Sequence, residues 1–431
     1  FSVARGSQGN GSGTTTWNLY KGDFTMSDGE SKNSNPTPGN AKLVFASADS
    51  QQLSFTNVEY TGGDIHFKVS DSTKLKIAGD FSANGLFINE GEIEPLGTLT
   101  FLDGAVYEHA RDGGEVPTIT WETGSTALFT GITGSTPENR GQDYYNLTLN
   151  TPDLTSNRDM SLEGRTIGGN ITLLNSGSSR WRLVGGSSGT ITIMGDVIVE
   201  DGSLETQGTS SQTEVIVNHH GNVNVTGGTF AVSRGSQGGV GTTKWYLLGG
   251  YFSISNATTR NSNPTGATFI FAKKNGTQNI TLSNVDYGSG GLPIQVDSTT
   301  TLNMDTTAVA GSGNFVISAG ATLASAHPYG IDGNLQTSGD ITFSKMANFT
   351  FNGKEAQVPG MLLPDTLGTL TIANPEGVSF NDTLSSLELV VSSGALMKVD
   401  TLASVTADSG SVAGTIVNKG ELNAVTSLIF G

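Results

Sequence analysis

Three short phrases decide the fold: Gly169-Asn170-Ile171-Thr172-Leu173, Gly195-Asp196-Val197-Ile198-Val199 and Gly221-Asn222-Val223-Asn224-Val225. Each is a tight turn followed by an alternating apolar/polar run, and the phrases begin at positions 169, 195 and 221. A looser copy, Gly250-Tyr251-Phe252-Ser253-Ile254, follows. A fixed period of this size, made only of strand-like runs, is the mark of a repeat architecture.

The interior of each period names the architecture. The first predicts strands over 170–174, 180–184 and 190–194. The second predicts them over 196–200, 204–207 and 214–218, and the third over 222–226, 230–233 and 244–248. Gly, Ser and Asn separate the runs, as corners require. Three strands and three corners per period make one coil. Stacked coils pair each strand with its equivalent above and below, parallel and in register. The expected fold is all-β, a parallel β-helix (β-solenoid) with three strands per coil. Right-handed coiling is taken as the commoner form of large three-sided coils. About 24 residues per coil gives about 18 coils. At ~4.8 Å per coil the expectation is one continuous rod about 85 Å long.

A longer period lies above the coil. Phe1-Ser2-Val3-Ala4-Arg5-Gly6-Ser7-Gln8-Gly9 matches Phe230-Ala231-Val232-Ser233-Arg234-Gly235-Ser236-Gln237-Gly238, and Trp17 matches Trp245. Asn33-Ser34-Asn35-Pro36-Thr37 matches Asn261-Ser262-Asn263-Pro264-Thr265, and 53–60 matches 280–287. Two repeat units are expected, 1–228 and 229–431, the second about one coil short. They share a continuous core with no linker. Gly79-Asp80-Phe81, Gly313-Asn314-Phe315 and Gly333-Asn334-Leu335 read as further coil starts. The polar stretches 28–40 and 134–143 read as loops. The first residue is Phe1, and the chain closes on the apolar strand Ser427-Leu428-Ile429-Phe430-Gly431. The expectation is a segment of a longer solenoid, or a subunit that stacks end to end.

Composition agrees with a corner-rich β protein. Glycine is 59 of 431 residues, about twice the usual share. Hydrophobic residues are 35%, placed periodically, so they can form a core. The net charge of −17 is spread along the chain. Nucleic acid needs clustered Lys and Arg, so it is excluded as a partner, as is an anionic membrane surface. No transmembrane run and no signal peptide is present, and no membrane insertion is expected. The absence of cysteine excludes thiol chemistry and Cys-based metal sites.

Candidate chemistry is sparse. His219 and His220 are adjacent on a strand, so they face opposite ways and do not chelate one metal. His66, His109 and His327 stand alone in the sequence. Glycan lyases and hydrolases built on β-helices set paired Asp residues and a basic residue on one face. This chain has no such segment, and its acidic run Asn89-Glu90-Gly91-Glu92-Ile93-Glu94 is expected to lack a basic partner and to form a solvated turn. No catalytic residue, metal site or cofactor is assigned, and the chain is read as no enzyme. Gly-Asp at 79–80 and 195–196 reads as turn geometry, the Asp bonding its own backbone. Thr-x-Thr pairs are too scattered for ice binding. Tyr144, Tyr145 and Trp181 are candidates for sugar contact if they are exposed, whereas the recurrence of Trp17 as Trp245 favours packing.

Asp-Ser/Thr followed by an apolar residue or Thr occurs at Ser72, Ser298, Thr306, Thr366, Thr383 and Thr401. It resembles the O-glycosylation motif of Bacteroidota-type bacteria; ordinary Asp turns are the competing reading. The phrases Tyr145-Asn146-Leu147-Thr148-Leu149-Asn150 and 367–378, with the Gly-Asn-Val-x-Val coil starts, resemble large secreted β-solenoid surface repeat proteins of the Bacteroidota and Ignavibacteria. That resemblance implies an extracellular or cell-surface location and a structural or adhesive role as a rod or filament subunit. Self-association or a longer chain, and surface glycans, are the partners it suggests. A glycan-binding, or less readily glycan-cleaving, β-helix is the alternative.

Overall fold

A computed structural model describes residues 1, 14–33, 41–62, 64–207, 214–233, 241–261 and 266–431. The fold is a parallel β-solenoid of about 15 turns, fewer than the 18 expected, because many coils are longer than 24 residues: the coil starts at Asn170 and Asn222 close 26 and 29 residues on. The repeated segments 5–9 and 234–238, and 34–37 and 262–265, lie outside the described residues. Among those described, no helix is long and apolar enough to cross a membrane.

By compactness the chain divides into Phe1–Gly208 and Thr209–Gly431. In the first unit one parallel ladder runs through Thr15–Leu19, Ala41–Phe45, His66–Val69, Leu86–Asn89, Val106–His109, Thr126–Phe129 and Asn146–Asn150, then Ile171–Asn175 and Val197–Val199. In the second unit one side is built from Glu214–His219, Thr242–Leu247, Ala267–Phe271, Ile294–Val296, Phe315–Ile317 and Ile341–Phe343. Another side climbs from Thr277–Tyr287 to Glu421–Phe430.

All nine strands expected between 170 and 248 are present, shifted by at most two residues at either end. The cause is visible in burial. Val197–Val199 and Val223–Val225 alternate buried, half-buried, buried, so the pleat points every second side chain inward. Each buried Val, Ile or Leu contributes roughly 1.5–3 kcal/mol. Aromatic rings stack along the core of the first unit, with Phe67, Phe81, Phe87 and Phe101 in edge-on or tilted contact. In the second unit Phe230, Trp245, Phe252 and Phe269 make the same kinds of contact, with Trp245 stacked on Phe269.

Side chains tie each coil to the next. At the coil starts, Asn146 Oδ1 accepts from Asn170 N at 3.0 Å, Asn170 Oδ1 from Asp196 N at 2.8 Å, and Asn222 Oδ1 from Tyr251 N at 3.0 Å. This corrects one expectation. Asp80 Oδ1 accepts from Thr98 N at 2.8 Å, one coil on, and not from its own turn. These carboxylate and amide oxygens continue the ladder at the corners, where strand geometry stops and backbone amides lose their partners.

Two further expectations fail. Residues 28–32 belong to the strand Phe24–Lys32, which bends at Asp28 with a φ of 47°. Gly333-Asn334 is no coil start; it closes the five-residue helix Gly330–Asn334. Asn334 points inward, and its Nδ2 donates to Asp305 O at 3.1 Å and Thr307 O at 2.7 Å. Residues 134–143 are irregular, as expected, apart from the single bridge Glu115–Glu138.

Candidate functional site, a cradle around the short helix

The helix marks a concavity in the second unit. Residues 326–333 and 358–365 run outside the strand ladders, after the strands Thr322–Ser325 and Asn348–Phe351, while Leu335 and Gln357 bridge to Val309 and Val378 of neighbouring coils. The two excursions lock together. Ile331 N donates to Pro359 O at 2.9 Å, and Val358 N to Pro328 O at 3.0 Å. Asp332 Oδ2 accepts from Met361 N at 2.9 Å and Oδ1 from Leu362 N at 2.8 Å. Close approach demands glycine on both sides. Gly330 has a φ of 59°, and a Cβ there would strike the Val358 and Pro359 carbonyls. Gly360 has a φ of 93°, and a Cβ there would strike Asp332 Oδ1.

Beneath the cradle, Gln357 is buried. Its Nε2 donates to Ser325 O at 3.1 Å and His327 O at 3.0 Å. Its Oε1 accepts from Gly353 N at 2.9 Å and from Asn374 Nδ2 at 2.7 Å. A third wall comes from the turn between Val378–Phe380 and Thr383–Val391. The concavity, open to solvent, holds about 310 Å³. Phe380 and Leu384, 3% and 4% exposed, supply apolar surface, while Tyr329 and Met361 stand 69% and 96% exposed. Asp332, Asp365 and Asp382 supply carboxylates.

The six Asp-Ser/Thr hydroxyl residues are all exposed. Ser72, Ser298, Thr306 and Thr401 lie in turns, and Thr366 and Thr383 open strands. Thr383 also lines the cavity. Exposure and turn geometry suit both readings of the motif.

The other candidates divide. His219 is buried and receives Trp245 Nε1–H at 3.4 Å, while His220 is exposed; the pair does face opposite ways. Trp181 and Tyr144 are buried, so neither offers a sugar-binding face. Trp181 Nε1 donates to Thr151 Oγ1 at 2.8 Å, and the Tyr144 hydroxyl donates to Arg140 O. Tyr145 is half-buried. The acidic run is not without basic partners. Glu90 meets Lys68 at 2.6 Å, and Lys74 meets Glu92 at 2.6 Å and Glu94 at 3.0 Å, all one coil back. Among the described residues no group of His, Cys, Asp and Glu is placed to hold a metal ion.

His109 is no isolated residue either. Asn89 Nδ2 donates to the Tyr107 hydroxyl at 2.9 Å, that hydroxyl faces His109 Nδ1 at 3.3 Å, and His109 Nε2 meets Gly113 O at 2.8 Å. The chain is consistent when the imidazole is neutral with its proton on Nε2. Burial holds the imidazole at about 4, although the Gly113 carbonyl pulls the other way. Burial also raises Tyr107 well above the usual phenol range. Asp112 sits in the opposite situation. Slight burial raises it, but the amides of Thr133, Gly134 and Ser135, at 2.8–2.9 Å, outweigh that and bring it to about 2.

No family model, no curated protein and no solved structure matches this chain.

Proposed function

We propose that this chain is a non-catalytic structural or adhesive element of an extracellular or cell-surface assembly, its coils continued by those of a longer chain or of a second copy. One observation carries the reading. The strand Thr242–Leu247 holds a coil on each side, pairing with Glu214–His219 and with Ala267–Phe271, and its Trp245 is fully buried. The equivalent strand Thr15–Leu19 pairs with Ala41–Phe45 and leaves Trp17 48% exposed. The fold thus already docks a coil onto the kind of surface that Trp17 displays. The strand Glu421–Phe430 also displays apolar surface: it pairs with Ser404–Val412, and Val425, Ile429 and Phe430 are 70%, 67% and 68% exposed. An exposed apolar edge of this length is a template for pairing with another chain. The resemblance of the coil phrases to secreted surface proteins supports the location.

Negative-stain microscopy tests the reading. Fibres with an axial repeat of one chain are expected at high concentration, and Ile429→Lys should shorten them. Monodisperse short particles at all concentrations would sink it.

A further inference from the structure

We propose that the cradle around Gly330–Asn334 binds a neutral saccharide, seating a single pyranose ring. The proposal goes beyond the structural reading and does not depend on stacking. Three observations carry it.

First, the site is preformed. Two successive coils each divert at this corner, and the diversions are bonded to each other by Ile331–Pro359, Val358–Pro328 and the two Asp332–amide bonds. Two glycines sit at positive φ to permit this approach. A rigid pocket loses little entropy when it takes a ligand.

Second, the lining is amphipathic in the way a sugar is. Tyr329 projects a flat ring, and Val358 and Met361 add exposed apolar surface over the buried Phe380 and Leu384. A pyranose shows an apolar C–H face that packs on such surfaces, and an equatorial edge of hydroxyls. Asp332, Asp365 and Asp382 meet that edge as acceptors. Each carboxylate oxygen has two lone-pair directions. The two amides use one on each oxygen of Asp332, which leaves one on each for a hydroxyl donor.

Third, charge and size select the ligand. No Lys or Arg is among the described residues that line the cavity, and every charged group there is negative. An anionic sugar or a phosphate finds no partner and three repelling carboxylates. A metal ion is disfavoured by the same geometry that brings no three ligands together. The volume of about 310 Å³ is at the lower end of the roughly 300–1,000 Å³ typical of ligand sites. Tyr329 and Met361 leave large apolar surface in water beside this concavity, as binding sites do.

The test is saturation-transfer NMR and titration of the whole chain with methyl glycosides of glucose, galactose, mannose and N-acetylglucosamine, with glucuronate and a lysine peptide as the charged alternatives. At least one neutral glycoside should bind, in the about-millimolar range expected for a ligand of roughly a dozen heavy atoms. Tyr329→Ala should weaken it at least about tenfold, with unchanged circular dichroism and melting, and Asp382→Asn should weaken it less. Leu402→Ala, at an exposed position that does not line the cavity, should leave binding unchanged. The proposal is overturned if no neutral glycoside binds, if Tyr329→Ala leaves binding intact, or if only the lysine peptide or glucuronate binds.

Discussion

The two repeats solve one problem with the same corners and different cores. In the first, Gln51 Nε2 donates to Leu19 O at 3.1 Å and Gly22 O at 2.9 Å. In the second, Gln278 Nε2 donates to Leu247 O at 3.0 Å and Gly249 O at 3.1 Å. The long strands bend at matched residues: Asp28 and Asn57 in one, Asn256 and Asn284 in the other, all at φ of 47–52°. In each, the later Asn donates its Nδ2 to the earlier side chain at 2.9 Å. Burial is not matched. Trp245 and Phe252 are fully buried, whereas Trp17 is 48% exposed and Phe24 is half-buried. Corner bonds need only the adjacent coil, so they are equal in both repeats. Core burial needs a coil on each side, so it is a property of neighbours.

Substitutions test how far stability depends on neighbouring coils. Trp245→Ala should have the largest effect, destabilising by about 3–5 kcal/mol in denaturant titration. Trp17→Ala should cost much less; equal losses would refute the neighbour argument. Acid should act next, and on the first unit. His109 is held at about 4 against an ordinary value of 6.5. The unfolded chain therefore binds the extra proton first. Stability is complete above about pH 6.5 and declines as the pH falls toward 4, by on the order of 3 kcal/mol for this group. His109→Gln should flatten that part of the stability profile of the first unit, read by hydrogen exchange on its strands. Gln51→Ala and Gln278→Ala should each cost about 1–3 kcal/mol, because buried carbonyls lose their donor. Their similarity is the point, and a twofold disparity in thermal unfolding would show that the corners are not equivalent. The smallest effects belong to Asn57→Ala and Asn284→Ala, about 1–2 kcal/mol each for a left-handed residue that gains no compensating bond.

The solenoid was legible because its signals are local. Gly-Asn-Val-x-Val carries both the corner and the alternation, so the strand Val223–Val225 could be read without its neighbours. What failed depends on the coil above or below. Lys68 and Lys74 reach Glu90, Glu92 and Glu94 only after the coils stack. Asp80 prefers the amide of Thr98 to its own turn for the same reason. Trp181 stands in a Ser- and Arg-rich segment, yet it inserts into the core. The cradle was invisible as a site because Tyr329, Met361 and Phe380 come from three separate segments. One signal was available: His327-Pro328-Tyr329-Gly330 is followed, one coil later, by Val358-Pro359-Gly360-Met361. Two Pro/Gly breaks in register interrupt the alternation that builds ordinary coils.

The coil-start bonds carry a consequence for how such a chain can change. They join residues 18 positions apart at Asp80 and Thr98, 21 at Asn348 and Thr369, 26 at Asn170 and Asp196, and 29 at Asn222 and Tyr251. The clasp is the same while the thread between its ends varies by more than half. Register is thus held at a few fixed points, and the length of chain between them is free to drift. A coil can therefore lengthen or shorten at its other corners, and the next clasp still closes on the correct amide. In this architecture, insertion is a route to new surface that leaves the stack in step.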